Sequence, residues 1–338
     1  MGSETGFFAK YAGFNASFRK KPGFFSECAL TQKIKIAPMI QSTQPSPFPI
    51  PAITFINPKT DYAFKKIFGY SQSKDILISF LNAIIYDGSP TIEDLEIIDP
   101  NLPPRVEGLK DSSLDVKAQL ADGTIVIIEI QILNVESPDK RVLYNANKTY
   151  ASQLQRGQGY RMLKPVIALT ITDFEMFKNS DRLITSFVYK EEDTNLLYPD
   201  NDIKLVFVEL PKFTKSVDRL ETLSDKWLYF MKYAITITEV PPVMDNVPEI
   251  HQAFGIADRA NLSPEELANI ERQEMFIHDQ QGAIIKAVKD AVQDAVQDAV
   301  QEEKLTIAQQ LLDRLDDATI AQITGLSVQD VQNLRSEV

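Results

Sequence analysis

The stretch LDVKAQLADGTIVIIEIQI, residues 114 to 132, constrains the fold of this chain more than any other. Ile125, Val126, Ile127, Ile128, Ile130 and Ile132 are β-branched and apolar, which suits a strand buried on both faces. Glu129 and Gln131 interrupt that run. A carboxylate in a sheet core needs a partner, because burying it alone carries a large desolvation penalty. Side chains alternate along a strand, so Ile125, Ile127, Glu129 and Gln131 share one face. Asp115, Lys117 and Gln119 share one face of the preceding strand. The loop decides whether Asp115 and Glu129 meet. A two-residue turn at Asp122-Gly123 would pair Asp115 with Ile130 and put the carboxylates on opposite faces. A three-residue loop, Ala121-Asp122-Gly123 with Gly123 left-handed, would set Asp115 opposite Glu129. Their Cβ atoms would then lie about 5 Å apart, and a divalent cation between them would turn repulsion into attraction. The competing reading pairs Glu129 with Lys117 on a solvent-facing sheet.

Composition narrows which ion that could be. Cys28 is the only cysteine, which excludes an internal disulfide and a thiolate zinc site. His251 and His278 are the only imidazoles, and both are isolated. A metal site in this chain is therefore built from carboxylates and favours a hard ion, Mg²⁺ or alternatively Mn²⁺. No apolar run is long enough to span a bilayer, so no membrane partner is expected. The first thirty residues lack a basic region followed by an apolar core; no secretory leader is read and a cytoplasmic location is expected.

Charge divides the chain. From Glu239 to Val338 there are 19 acidic and 7 basic residues, which accounts for the whole net charge of −12. The preceding 238 residues are neutral, and within them residues 140 to 165 hold six basic side chains and no acidic one. Residues 1–52 carry the run STQPSPFPIPA and read as an extended or disordered leader, because proline at that density blocks helix and strand alike.

In NPKTDYAFKKIFG, Asn57 is a helix cap with Pro58 at the first position, and Tyr62, Phe64, Ile67 and Phe68 are the packing face. KDILISFLNAIIY is a second helix and IEDLEIIDP a short strand. After the hairpin comes a helix ending near Gly157, with Leu143, Ala146, Tyr150 and Leu154 at helical spacing on one side. KPVIALTITDF, LITSFVYKE and DIKLVFVEL read as strands, and residues 216–234 as an amphipathic helix. This order predicts an α/β domain over 53–240. A helical acidic tail, 241–338, follows Pro241 and Pro242. Its repeat AVKD-AVQD-AVQD-AVQE advances about 40° per repeat on a helix of 3.6 residues per turn, so the apolar stripe winds and a solvated or weakly self-associating helix is expected.

The hairpin, with NPKTDYAFKKIFG upstream and KRVLYNANKTYASQLQRGQGYRMLKPVIALTITDF downstream, resembles the PD-(D/E)XK nuclease family transposases, also called Rpn-type recombination-promoting nucleases. The resemblance covers about residues 56 to 240. It implies a restriction-endonuclease-like core, a mixed β-sheet flanked by helices, that hydrolyses phosphodiester bonds of DNA with Mg²⁺ during recombination or transposition of a mobile element. By that resemblance Asp115 and Glu129 are the metal carboxylates, and Asp61 is the acidic residue that completes the site. Gln131 takes the place of the superfamily's lysine, and Leu114 that of its proline. Gln131 brings no positive charge to lower the pKa of an attacking water, so a non-catalytic DNA-binding or assembly protein on the same fold is the alternative. Arg141, Lys148 and Gln153 on the following helix are candidates for contacting the DNA backbone, against a simply solvated basic face. The tail end, ATIAQITGLSVQDVQNLRSEV, has the shape of a helix-turn-helix with its turn at Gly325. Its second helix offers Arg335 alone, which favours a small packing or homo-oligomerisation hairpin over a DNA reader.

Overall fold

A computed structural model describes residues 53–102, 112–134 and 137–336. The expected leader lies outside the described residues.

The first helix, α1, spans Asp61–Phe68 and starts later than the sequence reading places it. Its cap is Thr60, whose hydroxyl accepts from the Ala63 amide, and not Asn57. Asn57 instead closes a turn, its side-chain oxygen accepting from Lys59 N at 3.1 Å. Asparagine stabilises such turns as readily as helix starts, and proline at the next position suits both. Helix α2, Lys74–Ile85, lies beside α1 and buries Phe80 against Phe68, ring centroids 4.8 Å apart.

The strands are β1 (Leu95–Ile98), β2 (Asn101–Leu102), β3 (Ser112–Ser113), β4 (Val116–Leu120), β5 (Ile125–Gln131), β6 (Val166–Thr172), β7 (Ile184–Phe187) and β8 (Ile203–Glu209). Six of them form one mixed sheet in the order β1-β4-β5-β6-β8-β7, and β2 pairs with β3 separately. β5, β6 and β8 run parallel, while β1 on β4, β4 on β5 and β7 on β8 are antiparallel. Helix α3, Pro138–Ser152, makes the crossover from β5 to β6. Every residue of β6 is buried, as its apolar continuity predicts for a central strand covered on both sides.

Alternation divides the sheet between two cores. Val126, Ile128, Leu169, Ile171 and Val208 face the larger one, with α1, α2 and the aromatic helix α4, Leu223–Tyr233. Ile125, Ile127, Ala168 and Phe207 face the smaller one, beneath α3. Helix α4 begins at a capping box of Thr222 and Asp225, so the expected start at residue 216 is too early; residues 217–219 form only a single 3₁₀ turn.

Helices α5 (Pro242–Asp245) and α6 (Pro248–Ala257) continue the larger core past residue 240, where the sequence reading begins a separate tail. Phe254 of α6 packs against Phe55 and Phe230, centroids 4.9 and 4.8 Å apart, and Ile56 N donates to Ala257 O at 2.9 Å. Pro241 caps α5 and Pro242 is its first residue, so the pair starts a helix. Helix α7, Pro264–Leu311, is 48 residues long. Its first turns dock on α1: Glu266 pairs with Lys66 and accepts from Tyr62 Oη at 2.8 Å, and Gln273 Oε1 accepts from Tyr62 N at 3.1 Å. From residue 278 to 303 every side chain is exposed, in keeping with the winding stripe. Helices α8 (Asp317–Thr324) and α9 (Val328–Ser336) fold back on the end of α7 around Leu312, Ile320, Leu326 and Val331.

Candidate active site

The loop at ADG has the odd length. Gly123, at φ +90°, donates to Leu120 O at 2.9 Å, and Leu120 N donates to Thr124 O at 2.8 Å. The register from Gln119–Ile125 to Val116–Ile128 follows, and continued by one residue it would set Asp115 against Glu129. A two-residue turn is excluded. The regular ladder stops one pair short, however. Leu114 is buried in the small core beneath α3, on the side where strict alternation from Val116 would send Asp115. Asp115 N donates to Ile128 O at 3.2 Å, and its Oδ2 accepts from Ile130 N at 2.7 Å. One step of the alternation is lost, as at a β-bulge. The acidic partner of Asp115 is consequently Asp61, not Glu129.

Asp61 is the first residue of α1, and its carboxyl hydrogen-bonds that of Asp115. Burial, followed by the hydrogen bond to Asp61, pushes Asp115 up to about 8. Burial also opposes ionisation of Asp61, but the hydrogen bond from Asp115 and the ion pair with Lys65 at 2.8 Å outweigh it and leave Asp61 below the ordinary range. Two acidic groups in contact push their titrations apart, Asp115 upward and Asp61 downward.

Glu129 is 3% exposed. Its Oε1 accepts from Asn145 Nδ2 at 2.7 Å, and its Oε2 lies 3.1 Å from Arg141 Nη2 without hydrogen-bond geometry. Burial raises its pKa against the pull of Asn145 and Arg141. Lys117 forms no ion pair with it. Gln131 is 6% exposed, and neither of its amide atoms has a partner among the described residues. Native proteins rarely leave both ends of a buried amide unpaired.

These groups meet at a cavity of about 450 Å³ whose wall includes Asp61, Asp115, Gln131, Lys59, Arg141 and, from α7, Arg272. Glu129 is not on that wall; its partner Arg141 is. Among the described residues no three His, Cys, Asp or Glu side chains form a group that could hold a metal ion by themselves. The donor set still suits a hard cation, because two carboxyls in contact and an amide oxygen without a partner among the described residues are oxygen ligands lacking a positive charge.

The face of α3 differs from the sequence reading. Val142, Asn145, Ala146 and Thr149 are buried, while Leu143 is exposed. Polar Asn145 and Thr149 belong to the inward face because it meets Glu129 as well as the small core, and apolar spacing alone does not register them. Of the three DNA-contact candidates, Arg141 lines the cavity and Lys148 lies 5.8 Å from the Tyr144 ring. Gln153 is tied to the main chain of Lys164, donating to its oxygen at 2.9 Å and accepting from its nitrogen at 2.8 Å, so its amide has a structural task. Asn145, Lys59, Arg272 and Phe276 of the site were not singled out by the sequence reading.

A family model described as PD-(D/E)XK nuclease family transposase matches residues 58–287, more than half of the chain. The chain belongs to this family. A second model, the C-terminal HTH domain of the Rpn/YhgA-like nuclease family, matches residues 301–336. No curated protein and no solved structure matches the chain. The mixed sheet flanked by helices is the restriction-endonuclease-like core that the family implies. That match covers α8, the turn at Gly325 (φ +70°) and α9, the helix-turn-helix shape read in the sequence. Arg335, the basic residue of α9, is held within that domain by Asp317 at 2.8 Å and by the carbonyls of Leu312 and Leu315. Among the described residues no helix is long and apolar enough to cross a membrane.

Proposed function

We propose that this chain is a Mg²⁺- or Mn²⁺-dependent DNA endonuclease that hydrolyses phosphodiester bonds during recombination or transposition. The observation that carries the reading is the hydrogen-bonded carboxyl pair Asp61–Asp115 on the wall of a cavity that also holds Gln131, whose amide has no partner among the described residues. Asp115 and Asp61, both on the cavity wall, would hold the ion, and Glu129, the second metal carboxylate by the family resemblance, lies off that wall and would join them only on leaving its contact with Arg141. A bound divalent ion would supply charge neutralisation at the scissile phosphate and acidify a water molecule. Ile130 N–H fixes the Asp115 carboxylate, and Asn145 fixes that of Glu129, so both arrive oriented. Gln131, whose amide donor and acceptor have no partner among the described residues, would orient the attacking water or a phosphate oxygen. Arg141, which reaches the cavity from α3, would exchange its contact with Glu129 for a phosphate oxygen. The helix-turn-helix domain supports DNA as the partner. We further place the protein in the cytoplasm, self-associating through α7 to α9.

The test is plasmid nicking with Mg²⁺, Mn²⁺ or EDTA, by wild type, Asp115→Asn and Glu129→Gln. Metal-dependent nicking lost in both variants is the expected result; unchanged nicking in both would refute the assignment. A second reading, a DNA-binding or assembly protein that no longer cleaves, is favoured by the neutral Gln131 and by the Arg141 contact that occupies Glu129. Binding without cleavage under every metal condition would select it.

A further inference from the structure

We infer that the cavity above Asp61 and Asp115 takes an unstacked nucleobase, which makes single-stranded or locally opened DNA the substrate. The inference rests on the nuclease reading and narrows it. Carboxyls and arginines form only part of the wall. Beside Lys59, Gln131 and Gln273, residues Ile130, Ile132, Leu133, Phe276 and Ile277 give it an apolar surface adjoining the carboxylates. Phosphate and sugar are met by charged and polar groups, so a duplex backbone has no use for such a surface. The face of a base does.

Phe276 is 61% exposed, and its ring contacts no other described aromatic residue. One turn earlier, Arg272 makes no hydrogen bond or ion pair with another described residue. Their spacing of four places them on one face of α7, and both line the cavity. A cation beside an aromatic ring is the pairing by which single strands are held, one for the phosphate and the other for the base. Gln273, through its bond from Tyr62 N, and Glu266, through Lys66, fix this part of α7 relative to α1 and therefore to Asp61. The ring is thus presented at a set position beside the reacting groups. A paired base lies inside the duplex stack and does not reach it, whereas an unpaired or extruded base does.

The experiment measures binding of the full chain, in EDTA, to a labelled single strand, the matching duplex, and a duplex with an unpaired bubble. Stacking on an aromatic side chain contributes about 1–3 kcal/mol per base, so single strand and bubble should bind about tenfold more tightly than duplex. Phe276→Ala should bring that ratio to about one. Trp227, the single tryptophan of the chain, is fully buried, so Phe276→Trp adds an exposed reporter. It should keep the ratio, and single strand should quench its emission where duplex does not. A wild-type ratio near one, a ratio untouched by Phe276→Ala, or an unquenched tryptophan would each overturn the inference. Success here with no cleavage of any substrate in Mg²⁺ would refute hydrolysis and leave the base site standing. Nicking that depends on Asp115, with a ratio near one, would do the reverse.

Discussion

Glu129 and Glu209 are both buried glutamates of the same sheet, and only one of them is satisfied. Glu209 ends β8 in the row that contains Thr172 and Gln131, and it is 0% exposed. It accepts from the amides of Met176 and Phe177 at 2.6 and 2.9 Å and from Lys212 Nζ at 2.7 Å. Lys212 is itself fixed by the carbonyls of Phe177 and Ser180. Glu129 has Asn145 on one oxygen and, on the other, only an arginine whose side chain is about half in solvent. Burial is nearly equal, so burial does not tell the two apart. What differs is the supply of donors. A carboxylate whose lone pairs are all taken by the fold stabilises it, whereas Glu129 keeps one oxygen whose only neighbouring charge, Arg141, lines the cavity and can leave it for a ligand.

Exchanging the carboxylates should separate these roles. Glu129→Gln and Asp115→Asn should each lower cleavage about a thousandfold or more, since several kcal/mol of transition-state charge stabilisation would go with them. The melting temperature should hold or rise, because Asp115→Asn also removes a buried acidic group from contact with Asp61. A collapse in melting temperature for Glu129→Gln would make that residue a second Glu209. The converse change, Glu209→Ala, leaves Lys212 buried and unpaired and should destabilise the fold by about 3–5 kcal/mol in denaturant titration. A loss below about 1 kcal/mol, the level of a surface pair, would erase the contrast.

Asn145→Leu tests the one donor that Glu129 has from the fold, and should reduce cleavage or metal affinity about 10- to 100-fold while the helix content stays. The smallest effect concerns a third carboxylate, satisfied but near the surface. Lys66, then Ser263 N and Tyr62, hold Glu266 at about 2. An unfolded glutamate titrates near 4.3, so this contribution is complete above about 4.3 and fades as pH falls toward 2. Hydrogen exchange on the first turns of α7 should rise over that window, and Glu266→Gln should abolish the pH dependence.

Much of this was legible in the sequence. The isoleucine run and the glycine of ADG indicate a strand and a turn and leave two registers, between which the structure selects the three-residue loop, and period-two alternation ranks the residues of β5 by face. Asp61 and Asp115 came from the family resemblance, and the structure brings them together. Their contact was not legible, since it depends on Leu114 taking the inward place and breaking the alternation by one. The inward face of α3 was misread because apolar periodicity passes over an asparagine whose partner is a buried carboxylate. The contribution of α7 was hidden for another reason. Arg272 and Phe276 stand some 140 residues or more beyond the hairpin, after prolines that read as a boundary, and only the packing of α6 and α7 on α1 carries them to the cavity.

The exposed middle of α7 has a consequence for how the molecule comes apart. Residues 278–303 make up a span of about 40 Å at 1.5 Å per residue, with all side chains exposed and no buried contact to hold the turns closed. Such a segment opens locally at little free-energy cost and independently of the sheet. Lys286 and Lys289 lie within it, so trypsin should cut there before anywhere in the core. One product would carry β1 to β8 with Asp61, Asp115 and Glu129, and the other the helix-turn-helix domain.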